Sequence, residues 1–302
     1  MSNLTKGYLL GISAALIWCG FILVSRMGGV SELTSFDVIA IRYATCTAIL
    51  FPVWLYFKLS HHPLGFNLLS PKLLITSLVG GLAYALCTFK GFELAPASHA
   101  AVLLPGLIPL LIISLAIIVN KEAPSVAKMV GMLVIAMGIS LLLYGQLTQQ
   151  ADISQGHVLL AMGALCWAVF TVLIKYWNIG PWQATVSLAL ITCLLYMPVY
   201  VLWLPKNMSL NVLGDIGLQM AYQGVMATII QMALYVRAVQ LLGASSMGAL
   251  MAIVPVVSGL AAIVLFNEAV SGELIVGLVL VSLGAWLAHS NFLHKKSMGV
   301  IT

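Results

Sequence analysis

Residues 97–122, ASHAAVLLPGLIPLLIISLAIIVNKE, are written a second time 146 positions later as residues 243–268, GASSMGALMAIVPVVSGLAAIVLFNE. Pro109 answers Pro255, Glu122 answers Glu268, and just beyond them Gly131 and Gly138 answer Gly277 and Gly284. From Leu104 to Gly138, ten of 35 ungapped positions match the later copy, and the matches include rare punctuation as well as common aliphatics. Such self-similarity marks two copies of one folding unit. It reaches back to the start of the chain: GYLLGISAALIWCGFILVSR (7–26) and GHVLLAMGALCWAVFTVLIK (156–175) share Gly, Leu, Ala, Leu, Trp and Phe in register and end on Arg26 and Lys175. An internal copy is no cleaved leader, so the first run is expected to be a transmembrane helix rather than a signal peptide.

Both copies consist of apolar runs. Of the 302 residues, 62% are hydrophobic and 7% charged, against roughly 25% charged in soluble domains, so too little polar surface remains to solvate a globule. A bilayer core needs about 20 apolar residues per helix. Ten such spans are expected, near 7–26, 35–57, 72–92, 97–119, 126–145, 157–176, 182–203, 216–239, 243–266 and 272–292. The polar stretch between Gly145 and Gly156 divides five from five, giving modules 1–148 and 149–302. The net charge of +5 is scattered at the ends of apolar runs, which reads as topology and argues against nucleic acid as a partner. With the N-terminus cytoplasmic, nine Lys and Arg (positions 6, 58, 72, 121, 128, 175, 237, 295 and 296) fall inside and three (26, 90 and 206) outside, the sense of the positive-inside rule. An odd number of helices per copy turns the second copy upside down, and an inverted pair is the architecture of secondary transporters. All five cysteines lie within apolar runs, with no C-x-x-C pair and no histidine at zinc spacing. They read as small buried hydrophobes, with neither disulfide nor metal expected.

Polar groups within spans are costly in hydrocarbon, so they are where function is sought. Arg42 either faces an anionic substrate group or reaches the headgroups or pairs with Asp37 or Glu93. His99, near the outer end of the fourth span, is a proton-sensitive gate or hydrogen-bonding ligand, or an interfacial histidine satisfied by loop carbonyls; the second copy has Ser245 there. Trp18 and Trp167 are equivalents placed well inside their spans, with Phe21 and Phe170 continuing each stripe one turn on. They form either an aromatic wall of a central cavity, suited to apolar, aromatic or cationic solutes, or plain helix packing. Tyr84 and Thr88 are four apart in the third span, Gln223 and Gln231 eight apart in the eighth, spacings that put each pair near one helical face and lining a cavity or a helix interface. The substrate-binding candidates are Trp18, Tyr84, Thr88, His99, Trp167, Gln223 and Gln231. No carboxylate stands at mid-span and no P-loop occurs, so no nucleotide or other cofactor is expected. Proton coupling would fall to His99 or an acid at a helix end. Glycines seven apart, Gly131 and Gly138 and again Gly277 and Gly284, are expected to let helices approach closely. Pro105, Pro109 and Pro255 are expected to bend or hinge theirs.

From Ala233 to Leu287 the sequence resembles the EamA module of the drug/metabolite transporter superfamily: a Tyr-x-x-Ala run (Tyr235, Ala238), a Gly-Ala helix start (Gly243, Ala244), a mid-helix Pro255, the acid Glu268 and two glycines, Gly277 and Gly284. The first half is similar through Ala97, Pro109, Glu122, Gly131 and Gly138. The resemblance implies an all-α integral membrane fold of ten transmembrane helices, as two inverted five-helix repeats around a central cavity. Helices one, three, four, six, eight and nine would line that cavity, with five and ten peripheral. It also implies a secondary transporter of small metabolites or drugs, largely exporting, acting on a small-molecule substrate in a bacterial inner membrane as a monomer or homodimer. Two other classes compete. A lipid-modifying enzyme needs a cluster of carboxylates, His or Ser at one membrane face. A non-transporting sensor or scaffold predicts a packed interior, which a cavity lined by both tryptophans would contradict.

Overall fold

The computed structural model describes residues 2–120, 125–148, 154–242, 247 and 250–289. Among them the regular structure is helical: α1 (Asn3–Val30), α2 (Ser35–Leu59), α3 (Pro71–Leu94), α4 (Ala97–Asn120), α5 (Val126–Thr148), α6 (Gln155–Tyr176), α7 (Pro181–Trp203), α8 (Leu210–Leu242), α9 (Val254–Phe266) and α10 (Gly272–His289). Eight of these are long and apolar enough to cross a membrane, while α9 and α10 are shorter apolar helices. In lipid an unclosed segment must satisfy its own backbone, and helices do so. Glu122, Ser245, Asp152, Lys121, Lys295, Lys296 and residues 149–153 of the polar linker lie outside the described residues.

Two elements depart from the expected spans. The ninth span, expected as one helix from 243, has a turn at Ala252–Ile253, and α9 starts at Val254. Pro255 has no N–H to donate back and so suits the first turn of a helix better than its interior. Pro105 and Pro109, by contrast, sit inside α4 and leave the carbonyls of Ala101 and Pro105 without their i+4 donors. Both α3 and α8 contain wider π turns, at Leu78–Ala83 and Met220–Ile230, at comparable places in the two copies.

The most extensive helix–helix contact among the described residues is between α5 and α10. A methyl group on Gly131 would lie 2.6 Å from the Gly284 carbonyl oxygen, and one on Gly138 would lie 2.9 Å from that of Gly277; the reverse substitutions would stand 2.7 and 3.0 Å from the partner oxygens. The helices therefore cross antiparallel with backbone against backbone. Gly131 and Gly277 are equivalents in the repeat, as are Gly138 and Gly284. Each copy thus offers its first glycine to the other's second, the reciprocity that a two-fold relation produces. The same exchange recurs where Gly7 of α1 abuts Leu241 and Leu242 of α8, and its equivalent Gly156 of α6 abuts Leu94 and Ala95 at the finish of α3.

These contacts also sort the helix ends. The start of α1 and the finish of α8 share one end of the bundle. At the other, Arg26 near the finish of α1 donates from Nη1 to the carbonyls of Phe92 (2.7 Å) and Glu93 (3.0 Å) at the finish of α3. Replacing Gly284 with Leu is expected to cost about 3 kcal/mol or more, since the obstructing atoms are backbone. Gly217→Ala, where a methyl meets nothing within 4 Å, is expected to be neutral or mildly stabilising; thermal unfolding of the two variants side by side checks the contrast.

Candidate functional site

A cavity of about 400 Å³ lies within the bundle, in the size range of small-molecule sites. Its wall is aromatic and aliphatic. Trp18 and Phe21 come from α1, Tyr84 from α3, Trp167 and Thr171 from α6, and Gln231 and Tyr235 from α8. Pro105 and Pro109 of α4 and Pro255 at the start of α9 also line it, so the proline positions of both helices face the space. The Trp167 ring is 4.9 Å from Tyr84 and 5.1 Å from Phe170, centroid to centroid, both tilted. α2 contributes Arg42 and α10 contributes Ala285, additions to the six helices that the sequence resemblance implied.

The polar part of the wall is tied across the repeats. Arg42 is 7% exposed, and its Nη1 donates to Gln223 Oε1 of α8 at 2.9 Å. Gln223 Nε2 donates to Ser25 Oγ at 3.0 Å, and that hydroxyl donates to the Phe21 carbonyl at 2.6 Å. The guanidinium carbon stands 5.4, 5.8 and 5.9 Å from the Phe21, Phe89 and Tyr43 ring centroids. Neither acid named as its alternative partner reaches it. Asp37 is fully buried and accepts from Thr34 N and Oγ1 (2.8 Å each), from Asn207 N (3.0 Å) and from the Tyr200 hydroxyl. Glu93 pairs with Lys90.

The bundle end at which α1 finishes is sealed. Glu268, just past α9, accepts from Ala97 N on Oε1 (2.6 Å) and from Ser98 N on Oε2 (2.8 Å). The first N–H groups of a helix have no internal partners and carry the positive end of its dipole, so a carboxylate from one copy holds the start of α4 in the other. Beside it His99 Nδ1 and His157 Nε2 are 3.0 Å apart. His157 Nδ1 accepts from Ser154 N at 3.1 Å, which assigns the His157 proton to Nε2 and makes that nitrogen the donor to His99. α4 and α6 start at this sealed end. Their lining residues begin at Pro105 and Trp167, about 12 and 18 Å along at about 1.5 Å per residue, and continue to Ile113 and Ile174. The cavity thus runs from mid-depth toward the end where α1 starts.

Of the residues singled out from sequence, Trp18, Tyr84, Trp167 and Gln231 line the cavity; Thr88, His99 and Gln223 do not. Thr88, one turn from Tyr84, is covered by the close approach of α6, where a methyl on Gly163 would lie 2.4 Å from its Oγ1. His99 belongs to the sealed end. Gln223 and Gln231 part company because the intervening residues are in π turns, whose phase differs from the 3.6-residue period assumed for their spacing. The spacing Ser154-x-x-His157 is that of a capping box, and its return bond from Ser154 N to the His157 side chain forms; it was the available signal for His157, which the sequence reading did not single out.

The chain belongs to the EamA-like transporter family, whose model matches residues 5–144 and again 154–289. It is therefore an integral, multi-pass membrane protein of a transporter family within the drug/metabolite transporter superfamily. No curated protein matches it. Among solved structures 28 chains match. One crystal structure superposes with a TM-score of 0.60 at 20% identity, covering 98% of this chain and 99% of that one, a likeness of fold.

With Ser98 fully buried beneath the Glu268 cap, a thiol introduced as Ser98→Cys is expected to resist a membrane-impermeant maleimide. Adding Glu268→Ala removes both acceptors, at a cost of about 1–2 kcal/mol, and is expected to raise the labelling rate about ten-fold or more. An unchanged rate would show that the carboxylate does not hold this end shut.

Proposed function

We propose that this EamA-family chain is a secondary transporter, an exporter of a small amphiphilic metabolite, working by alternating access between two inverted five-helix modules, 1–148 and 149–302. Both termini would face the cytoplasm of a bacterial inner membrane, and the unit would be a monomer or homodimer. The observation that carries the reading is a ring-walled cavity at mid-depth, sealed at one bundle end by a carboxylate from the opposite repeat and lined on toward the other end. Accessibility from one side at a time is what a carrier requires, and inverted repeats supply the second state by exchanging roles. The reciprocal glycine contacts of α5 with α10, and the matching pairs α1–α8 and α6–α3, support that symmetry.

Trp18, Tyr84, Trp167 and Gln231 are proposed to contact substrate directly. Gln223 acts through Arg42, while Thr88 packs the wall from behind. His99 is assigned to the sealed end. Its bond to His157 uses the neutral form of both rings, so a change of protonation there would act on closure rather than on substrate contact. A scaffold role fits poorly with a cavity touching both tryptophans. The enzyme alternative gains a cluster, because His99, His157, Ser154 and Glu268 meet at one end. Yet both Glu268 oxygens cap α4 and His157 Nδ1 is held by Ser154, leaving these groups engaged in structure.

Screening purified protein by thermal shift against amino acids, organic acids, polyamines, quaternary amines and nucleosides is expected to find a stabilising class, worth about 2.7 kcal/mol at a hundred-fold excess over Kd. Trp18→Ala and Trp167→Ala should each weaken that ligand about ten-fold, or about 1.4 kcal/mol, and reduce saturable counterflow in proteoliposomes. Stabilisation that ignores both substitutions, or an absence of saturable flux, would count against the proposal.

A further inference from the structure

Arg42 presents an unbalanced charge. A guanidinium stays protonated under all conditions a protein meets, and taking it out of water is costly unless a countercharge or a full set of acceptors replaces the solvent. Here it is 93% buried by exposure, its described hydrogen-bond acceptor is the neutral Gln223, and its Nε has no partner. The chain from Gln223 to Ser25 to the Phe21 carbonyl polarises that amide but supplies no negative charge. The three rings within 6 Å offer cation–π attraction, a partial substitute for a countercharge. Among the described residues no carboxylate pairs with Arg42, and both Asp37 and Glu93 are engaged elsewhere. Arg42 nevertheless reaches the wall of the main cavity and also of a side recess of about 40 Å³ that it shares with Tyr84, Thr228 and Trp167. Among the described residues no other member of either wall is charged.

We infer that Arg42 is an anion-recognition residue and that the substrate class is a small organic acid, with an apolar ring-sized body against Trp18 and Trp167 and a carboxylate turned to the guanidinium. The inference rests on the transporter reading for its setting and sharpens it. The planar guanidinium fork suits a carboxylate, and the cost of burying Arg42 uncompensated becomes affinity for the ligand that compensates it. A cationic solute would meet the same walls with the sign reversed. Aromatic faces alone would welcome it, but the fixed positive charge beside them opposes it. Gln223 is then a positioning residue: its bond to Nη1 and its hold on Ser25 fix the orientation of the arginine.

The test compares phenylacetate, its neutral amide phenylacetamide and the cation phenethylamine, with indoleacetate as a second acid, by tryptophan-fluorescence titration of the full chain in nanodiscs. Either acid is expected to bind about ten-fold or more tightly than amide and amine. This comparison needs no mutation. Arg42→Gln should weaken the acid about ten-fold and level the series, while Arg42→Lys, which keeps the charge and asks least of the fold, should preserve the order at reduced affinity. Amine bound as tightly as acid, acid and amide bound alike, or neither acid bound would each overturn the assignment. Acid bound with the expected order but never transported in proteoliposomes would overturn the transport reading and leave the anion site standing; saturable flux of the amine alone would do the reverse.

Discussion

The Glu268 carboxylate is where the two halves of the chain depend on each other most directly. A helix start buried in a membrane protein has N–H groups that neither lipid nor the helix itself can satisfy, and α4 meets that need with two oxygens from the far repeat. In the proposed cycle this contact decides which end of the bundle is closed. It also sets where the cavity begins, because α4 is pinned at its start while its two internal prolines reshape the wall deeper in. Elsewhere the halves meet through shape, with the glycines of α5 and α10 bringing backbone to backbone. A close-packed crossing suits a fixed axis, whereas a pair of charge-assisted hydrogen bonds can be exchanged for others at modest net cost. In the proposed cycle the first contact serves as a rigid seam and the second as a breakable closure.

Within the cavity the same physics runs with the opposite sign. Glu268 is a charge whose oxygens are met by donors; Arg42 is a charge whose countercharge the described chain does not provide. Polar groups that are fully engaged, such as Asp37 with Thr34, Tyr200 and Asn207, belong to structure. A buried guanidinium held in place by Gln223 and open to a ligand space belongs to recognition. The distinction between the two rests on hydrogen-bond accounting, since burial alone places Asp37 and Arg42 together among the buried polar residues.

Composition and repeat made the membrane class, the all-helical character of the described residues and the position of Gly131, Gly138, Gly277 and Gly284 at close crossings legible, because each follows from local chemistry or from self-comparison. Trp18 and Trp167 were legible as cavity residues for the same reason. What stayed hidden is non-local or depends on backbone phase. Arg42 and Gln223 are 181 residues apart, and His99 and His157 are 58 apart; no spacing rule joins them. The π turns in α8 rotate Gln231 away from Gln223, which a constant helical period cannot anticipate. The break before Pro255 was visible as a proline, yet two internal prolines in α4 leave that helix continuous, so residue type alone did not decide between bend and break.

The most direct measurement is the sidedness of the cavity. With the five native cysteines replaced, Ala227→Cys places a thiol on the wall shared by the cavity and its recess, and membrane-impermeant reagents can be applied to oriented vesicles from either face. Alternating access predicts labelling from the face where α1 starts in the resting protein, and labelling from the opposite face only as transported substrate is supplied. Equal reactivity from both faces at rest would indicate an open pore, and protection from both under all conditions a sealed interior; either result would contradict the account.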